Sequence, residues 1–231
     1  MTVAAVLVAA GSGERFAAAA PKAFVELAGE PLLVHALRAL LGAASIDEVV
    51  VVVGEQRRAQ AAAALEAAGL PPAALVAGGA TRAESVRSGV AATAADVVAV
   101  HDAARPLVSP GLVDRVVAAL YDHTDTSHPL SAVAPALAVV DTLKLVEPTR
   151  MQVLHTIDRR ALWAVQTPQV FARRTLQRVH RRLKVTTATD DLVLVEEAGG
   201  RVHLIEGERR NFKITYPEDL AMAEALLRTS C

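Results

Sequence analysis

Six consecutive apolar residues, Val3–Val8, are followed almost at once by Gly11. A strand with one wet face would alternate polar and apolar residues. An unbroken run this short reads instead as a strand covered on both faces, as in a parallel sheet. The same texture recurs at Asp47–Val53, Leu75–Ala77 and Asp96–Val100. Between these runs, Pro31–Leu41, Gln56–Ala68, Arg82–Ala92 and Pro110–Tyr121 carry helical periodicity, with Gly69 and Pro71 stopping the second. Strands alternating with helices of this length build βαβ units. The expected fold class is α/β: a mostly parallel, Rossmann-like sheet with helices on both faces, forming a single domain over residues 1–231.

The rhythm changes after Ser131. The stretches SAVAPALAVVDTLKLV and MQVLHTIDR are extended and β-branched, and Glu147-Pro148-Thr149 between them suits a hairpin turn. This predicts a β-ribbon arm inserted at about residues 136–160. Helices are expected again at Arg173–Leu183 and Asp190–Ala198, then a strand at Val202–Ile205. A last helix, Pro217–Leu227, has proline in its first turn. A two-stranded ribbon alone is marginal in water, so it must pack on something. A second copy of the chain is the simplest partner; folding back on its own sheet is the alternative.

Composition removes several classes. Of 231 residues, 52% are hydrophobic and 21% charged, too apolar for a disordered chain. No charge-free apolar stretch reaches the length of a membrane span, so no membrane partner is expected. The formal net charge of -1 gives no basic footprint for nucleic acid. The single cysteine, Cys231, excludes an intrachain disulfide and a cysteine metal cluster. Seven histidines lack ligand spacing, which leaves no zinc site. The apolar start has no basic residue before Arg15, so it reads as a first strand, and a cytoplasmic location is expected.

Three motifs fall where expected strands end, the edge at which α/β proteins bind ligands. The first is Ala10-Gly11-Ser12-Gly13-Glu14-Arg15-Phe16, with Pro21-Lys22 beyond it. Gly11 and Gly13 let backbone N–H groups approach phosphate, and Arg15 and Lys22 supply charge. Phe16 replaces the third glycine of a dinucleotide fingerprint, and no P-loop GK[ST] is present. The same residues also make an ordinary glycine turn with two solvated cations, and the pattern does not separate the readings. The second motif is His101-Asp102-Ala103-Ala104-Arg105-Pro106, where Asp102 could face a ligand or cap the next turn. The third is Gly78-Gly79-Ala80-Thr81-Arg82-Ala83-Glu84-Ser85. Its glycines could face a base edge while Thr81 and Glu84 form a capping box. Ser12 and Ser85 lack a GxSxG setting, so a hydrolase nucleophile is not expected. Lys213 stands between Phe212 and Ile214, an apolar setting unusual for a solvated lysine.

Taken together, AAGSGERF-x4-PK, GG-x-x-R-x-x-SV, VHDAARP, DTLK, TPQ and FKIT stand in the order and spacing of one family. From about Val3 to Leu227 the sequence resembles the 2-C-methyl-D-erythritol 4-phosphate cytidylyltransferases of the non-mevalonate isoprenoid pathway. VHDAARP carries most of the specificity. The pentitol-phosphate cytidylyltransferases are similar through the first half and are the alternative. A non-catalytic nucleotide-binding regulator on the same fold is a more distant one.

The resemblance implies that CTP and 2-C-methyl-D-erythritol 4-phosphate give 4-CDP-2-C-methyl-D-erythritol and pyrophosphate. The substrate phosphate attacks the α-phosphate in line, with Mg²⁺ and no covalent intermediate. By resemblance, Arg15, Lys22 and Lys213 are the catalytic cations. Ala9, Ala10, Gly11, Gly13, Gly79, Ala80, Ser85, Asp102 and Ala103 hold the nucleotide. Asp102, Arg105, Thr142, Arg159, Thr167 and Lys213 are the candidate substrate contacts, and Asp102 also touches the metal or its waters. Val8 and Ala80 depart from the common pattern, at positions used mainly through backbone. Thr142 and Arg159 lie on the expected arm, which in the family embraces a second subunit, so the resemblance implies a homodimer.

Overall fold

A computed structural model describes residues 1–11, 21–122, 129–182 and 190–229. In chain order it contains β1 (Val3–Val8), β2 (Glu26–Leu27), β3 (Glu30–Pro31), α1 (Leu32–Leu41), β4 (Glu48–Val53), α2 (Arg58–Ala67), β5 (Ala74–Ala77), α3 (Arg82–Ala91) and β6 (Val97–Asp102). There follow α4 (Pro110–Ala119), β7 (Ala132–Ala138), β8 (Lys144–Glu147), β9 (Gln152–Thr156), β10 (Trp163–Val165) and β11 (Gln169–Ala172). The chain closes with α5 (Arg173–Arg182), α6 (Asp191–Glu197), β12 (Val202–Glu206) and α7 (Pro217–Arg228).

The main sheet runs β10-β7-β11-β6-β1-β4-β5, with β12 on the other edge of β7. The β6-β1-β4-β5 half is parallel throughout. β11 runs antiparallel to both β6 and β7, and β10 antiparallel to β7. The Rossmann-like α/β expectation holds, with a mixed second half. β10 and β11 escaped the sequence reading because each is only three or four residues long.

The unbroken apolar run of β1 has a direct cause. Ala5 and Leu7 face one side of the sheet, against Leu33 and Leu37 of α1, Ala61 and Leu65 of α2, and Val113 of α4. Ala4 and Val6 face the other, packing with Val86 of α3, Leu176 of α5 and Leu194 of α6. With a period of two, a strand covered on both faces turns every side chain into the interior, and β1 answers with an apolar residue at each position. A third cluster seats α7 against Leu27, Leu32 and Leu107.

Local signals set the helix starts. Thr81 and Glu84 form the expected capping box on α3, Ser109 caps α4 ahead of Pro110, and Asp190 caps α6. Some expected bounds move. β6 continues through His101 and Asp102, so Asp102 is the last residue of the strand rather than part of a following loop. Ala136–Ala138, expected at the start of the arm, pair with β10 and β12 in the main sheet. The ribbon proper is β8 against β9 around the turn at Glu147. β9 is exposed along its whole length.

Candidate active site

The loop after β1, the loop after β5 and the end of β6 converge on one cleft of about 520 Å³. These are carboxyl ends of parallel strands, where the sheet leaves a crevice between diverging loops. Ala9, Ala10, Gly11, Lys22, Gly79, Ala80, Ser85, Asp102, Ala103 and Lys213 all line it, together with Thr81 and Arg82. Gly13 and Arg15 lie outside the described residues.

The wall from Gly78 to Thr81 is held by Ser85. Its hydroxyl donates to the Thr81 carbonyl at 2.9 Å and accepts from the Gly79 N–H at 3.2 Å. A Cβ at Gly78 would sit 2.4 Å from the Ala10 Cβ, and one at Gly79 would sit 2.3 Å from the Glu84 Cβ. The two glycines are therefore required by close approach. They let the loop press against the capping box on one side and Ala10, just past β1, on the other.

Asp102 is the only carboxylate among the described lining residues, and each of its oxygens carries a cation. Lys213 Nζ donates to Oδ2 at 2.7 Å, and Arg82 Nε donates to Oδ1 at 3.0 Å. Burial alone would push the Asp102 carboxyl up. Arg82 and Lys213, with Arg105 behind them, override this and hold it well below the usual carboxylate range.

The Asp102 backbone is fixed from below. Its N–H donates to the Thr167 hydroxyl at 3.2 Å, and that hydroxyl lies 2.9 Å from His101 Nδ1. His101 Nε2 faces the Arg105 carbonyl at 3.1 Å. A carbonyl can only accept, so Nε2 carries the proton and the Thr167 hydroxyl donates to Nδ1. Burial pushes the His101 pKa down to about 4, so the ring is neutral at pH 7.

Lys213 owes its place to its neighbours. Ile214 is fully buried under α7, and its N–H donates to the Ala104 carbonyl at 2.8 Å. Lys22 reaches the same segment, donating to the Ile214 carbonyl at 2.8 Å. The apolar flanks that made Lys213 unusual in sequence are the anchors that deliver it to the cleft.

Other candidate contacts lie apart. Arg105 is behind the wall, donating to the Asn211 carbonyl at 2.7 Å and the Val165 carbonyl at 3.4 Å. Thr167 is buried beneath Asp102 rather than facing the cleft. Thr142 and Arg159 are exposed at the arm, where the Arg159 guanidinium donates to the Val140 carbonyl. Arg82, absent from the candidates read in the sequence, is the chief addition. Its place in the GG-x-x-R-x-x-SV motif, three residues after Gly79, pointed to it.

Three comparisons agree with this architecture. The family model described as IspD, 2-C-methyl-D-erythritol 4-phosphate cytidylyltransferase, matches residues 3–229. The chain is 43% identical to the protein of that name from Streptomyces avermitilis, over 97% of this chain and 91% of that one. It is 45% identical to a bifunctional IspD/IspF enzyme of Anaeromyxobacter, where it corresponds to 57% of the length. The crystal structure of 2-C-methyl-D-erythritol 4-phosphate cytidylyltransferase from Thermus thermophilus superposes with a TM-score of 0.75 at 36% identity, covering 96% of this chain and 98% of that one. The 4-diphosphocytidyl-2C-methyl-D-erythritol synthase from Anaerococcus prevotii gives 0.81 at 28% identity, covering 98% and 96%. With its glycine-walled cleft and matching fold over nearly its whole length, this chain belongs to the 2-C-methyl-D-erythritol 4-phosphate cytidylyltransferase family, a family of nucleotidyltransferase enzymes.

Proposed function

We propose that this chain joins CTP and 2-C-methyl-D-erythritol 4-phosphate, releasing pyrophosphate. An oxygen of the substrate phosphate attacks the α-phosphorus of CTP. The bond from that phosphorus to the β-phosphate oxygen breaks, and pyrophosphate leaves. The observation that carries this reading is the convergence of Lys22 and Lys213 on a cleft whose far wall is the Gly79–Ser85 backbone. Cations already in place where phosphate charge redistributes stabilise such a transition state without reorganising. Lys213 serves the α-phosphate and incoming phosphate, Lys22 grips the triphosphate, and Arg15 joins them. The wall from Gly79 to Ser85, with Ala9 and Ala10, takes the cytosine.

No covalent step is needed. Ser85 has its hydroxyl committed to the loop backbone, and the buried His101 ring is committed to Thr167 and Arg105. Among the described residues, no three carboxylate, histidine or cysteine side chains gather to cage a metal. Mg²⁺ is commonly held by one or two carboxylates plus substrate phosphates, and a single lining carboxylate fits that pattern. Asp102 would reach the ion or its waters, and the ion would neutralise triphosphate charge.

The arm supports a homodimer. Leu145, Met151, Val153 and Leu154 expose apolar side chains on a ribbon that pairs only with itself among the described residues. A second copy would cover them and would bring Thr142 and Arg159 to the neighbouring cleft. No described helix is long and apolar enough to cross a membrane, and a cytoplasmic location goes with this reading.

The test is pyrophosphate release from CTP with either 2-C-methyl-D-erythritol 4-phosphate or ribitol 5-phosphate. Turnover with the erythritol substrate supports the assignment. A preference for ribitol 5-phosphate would replace it with the pentitol reading.

A further inference from the structure

Asp102 has two cationic partners of different kinds. Lys213 is the more exposed, a point charge on a flexible stem with its side chain 40% exposed. Arg82 is held from both sides. Its Nε reaches Asp102 at 3.0 Å while its Nη1 reaches Asp191 Oδ2 at 2.6 Å. Asp191 does not line the cleft, and its side chain is 1% exposed at the start of α6. Its other oxygen accepts from His180 Nε2 of α5 at 2.9 Å. The second ring nitrogen of His180, Nδ1, is buried and meets no partner among the described residues. Asp191 is therefore the group that orients this ring, and the ring in turn fixes Asp191. A line of charged hydrogen bonds thus runs from α5 through α6 and α3 to the end of β6.

We propose that Asp191 is a positioning residue for the transfer: by clamping Arg82 onto Asp102, it frees Lys213 to leave Asp102 for the phosphates. The proposal rests on reading the cleft as a cytidylyltransferase site. A buried carboxylate stripped of its partner is costly. If Lys213 alone balanced Asp102, moving it to a phosphate would leave that carboxylate unpaired. With Arg82 locked in place, Asp102 keeps one partner throughout and Lys213 is free to move. When the clamp is loosened, Arg82 loses the bond that fixes its position against Asp102, and Lys213 is retained there.

The experiment compares kcat and the KM for CTP in the full chain, its Asp191→Asn variant, Lys213→Gln and the double variant, with melting temperatures alongside. Asp191→Asn keeps the side-chain size and removes the charge. The expected result is a loss of about tenfold in kcat, with KM for CTP within about threefold, and no further loss when Lys213 is already glutamine. A purely structural role would lower the melting temperature and leave the kcat of folded protein unchanged. Unchanged kcat, or the same tenfold loss in the Lys213→Gln background, overturns the proposal. Should Asp191→Asn fail to fold, Arg82→Lys keeps the Asp191–His180 bond and one positive charge but loses the two separate nitrogens, Nε and Nη1, that reach the two carboxylates. The same kcat loss supports the proposal, and wild-type kcat overturns it. A wild-type chain forming no product overturns the reading of the cleft and the proposal with it; an active wild type with an unaffected Asp191→Asn overturns the proposal alone.

Discussion

Lys22 Nζ donates to the backbone carbonyl of Ile214 at 2.8 Å, across a sequence separation of 192 residues. Ile214 is buried and immediately follows Lys213, whose own Nζ holds Asp102. One short segment near the C-terminal helix thus fixes two cations that the sequence places at opposite ends of the chain. The charge of the cleft depends on that closure, as does the geometry in which a triphosphate would meet it.

Lys22→Ala removes one of those charges from a segment outside the main sheet. Turnover is expected to fall by about 10²–10³, the usual effect of deleting one contact to a developing oxyanion. Loss of the Ile214 bond, a charged donor on a backbone carbonyl, costs about 1–3 kcal/mol of stability. Steady-state kinetics and a melting curve on the same preparation check both. A folded variant within threefold of wild-type activity removes Lys22 from the mechanism.

Gly79→Val tests the nucleotide wall. The added Cβ would meet the Glu84 Cβ at 2.3 Å, so the loop must move away from α3 and toward the cleft. The expected result is a higher KM for CTP, by about tenfold, which corresponds to about 1.4 kcal/mol of binding free energy. Calorimetric titration with CTP gives the affinity without turnover. Wild-type affinity would mean that this loop does not contact the nucleotide.

Much of this architecture is legible in the residues. The apolar runs Val3–Val8, Val49–Val53 and Val97–Val100 announce a doubly covered sheet because no polar residue interrupts them, and Thr81 with Glu84 marks the start of α3. Glycines and cations at strand ends mark the cleft. The short strands β10 and β11 were not legible, since three or four residues show no period. Arg82 and Asp191 were missed for a different reason. Each sits at a helix start, where a charged residue is ordinary, and only the fold brings the two together. His101 reads as a polar loop residue, yet it is wholly buried in β6, paired with Thr167 of the loop between β10 and β11.

Stability should fall with acid in two stages. The folded His101 pKa is lowered from 6.5 to about 4, so the unfolded chain takes up that proton first. Stability therefore drops as pH falls from about 6.5 to about 4, by roughly 3 kcal/mol. Asp102 and Asp191 are held below the usual range, and their contribution is present above about pH 4 and lost beneath it. Denaturant midpoints between pH 7 and 4.5 should decline less steeply in His101→Gln than in the wild type. Equal slopes would show that His101 is not the group responsible.

The arm makes a prediction about assembly. If Arg159 serves the partner's cleft, Lys22→Ala and Arg159→Ala are each inactive alone, yet their mixture holds heterodimers with one intact site. Activity should recover to roughly a quarter of wild type after random subunit exchange, with the intact site expected in one of two places in half of the dimers. A monomer in sedimentation, or no recovery from proven heterodimers, would show that each site is built from one chain.

In the proposed reaction the cations of this cleft carry a direct displacement at the α-phosphorus of CTP, with no enzyme-bound intermediate. The stereochemical course of transfer from α-thio-CTP of defined configuration to 2-C-methyl-D-erythritol 4-phosphate tests it most directly. A single in-line attack predicts inversion at phosphorus in the CDP product. Retention would reveal two displacements through a covalent intermediate and would rule out direct transfer between the substrates.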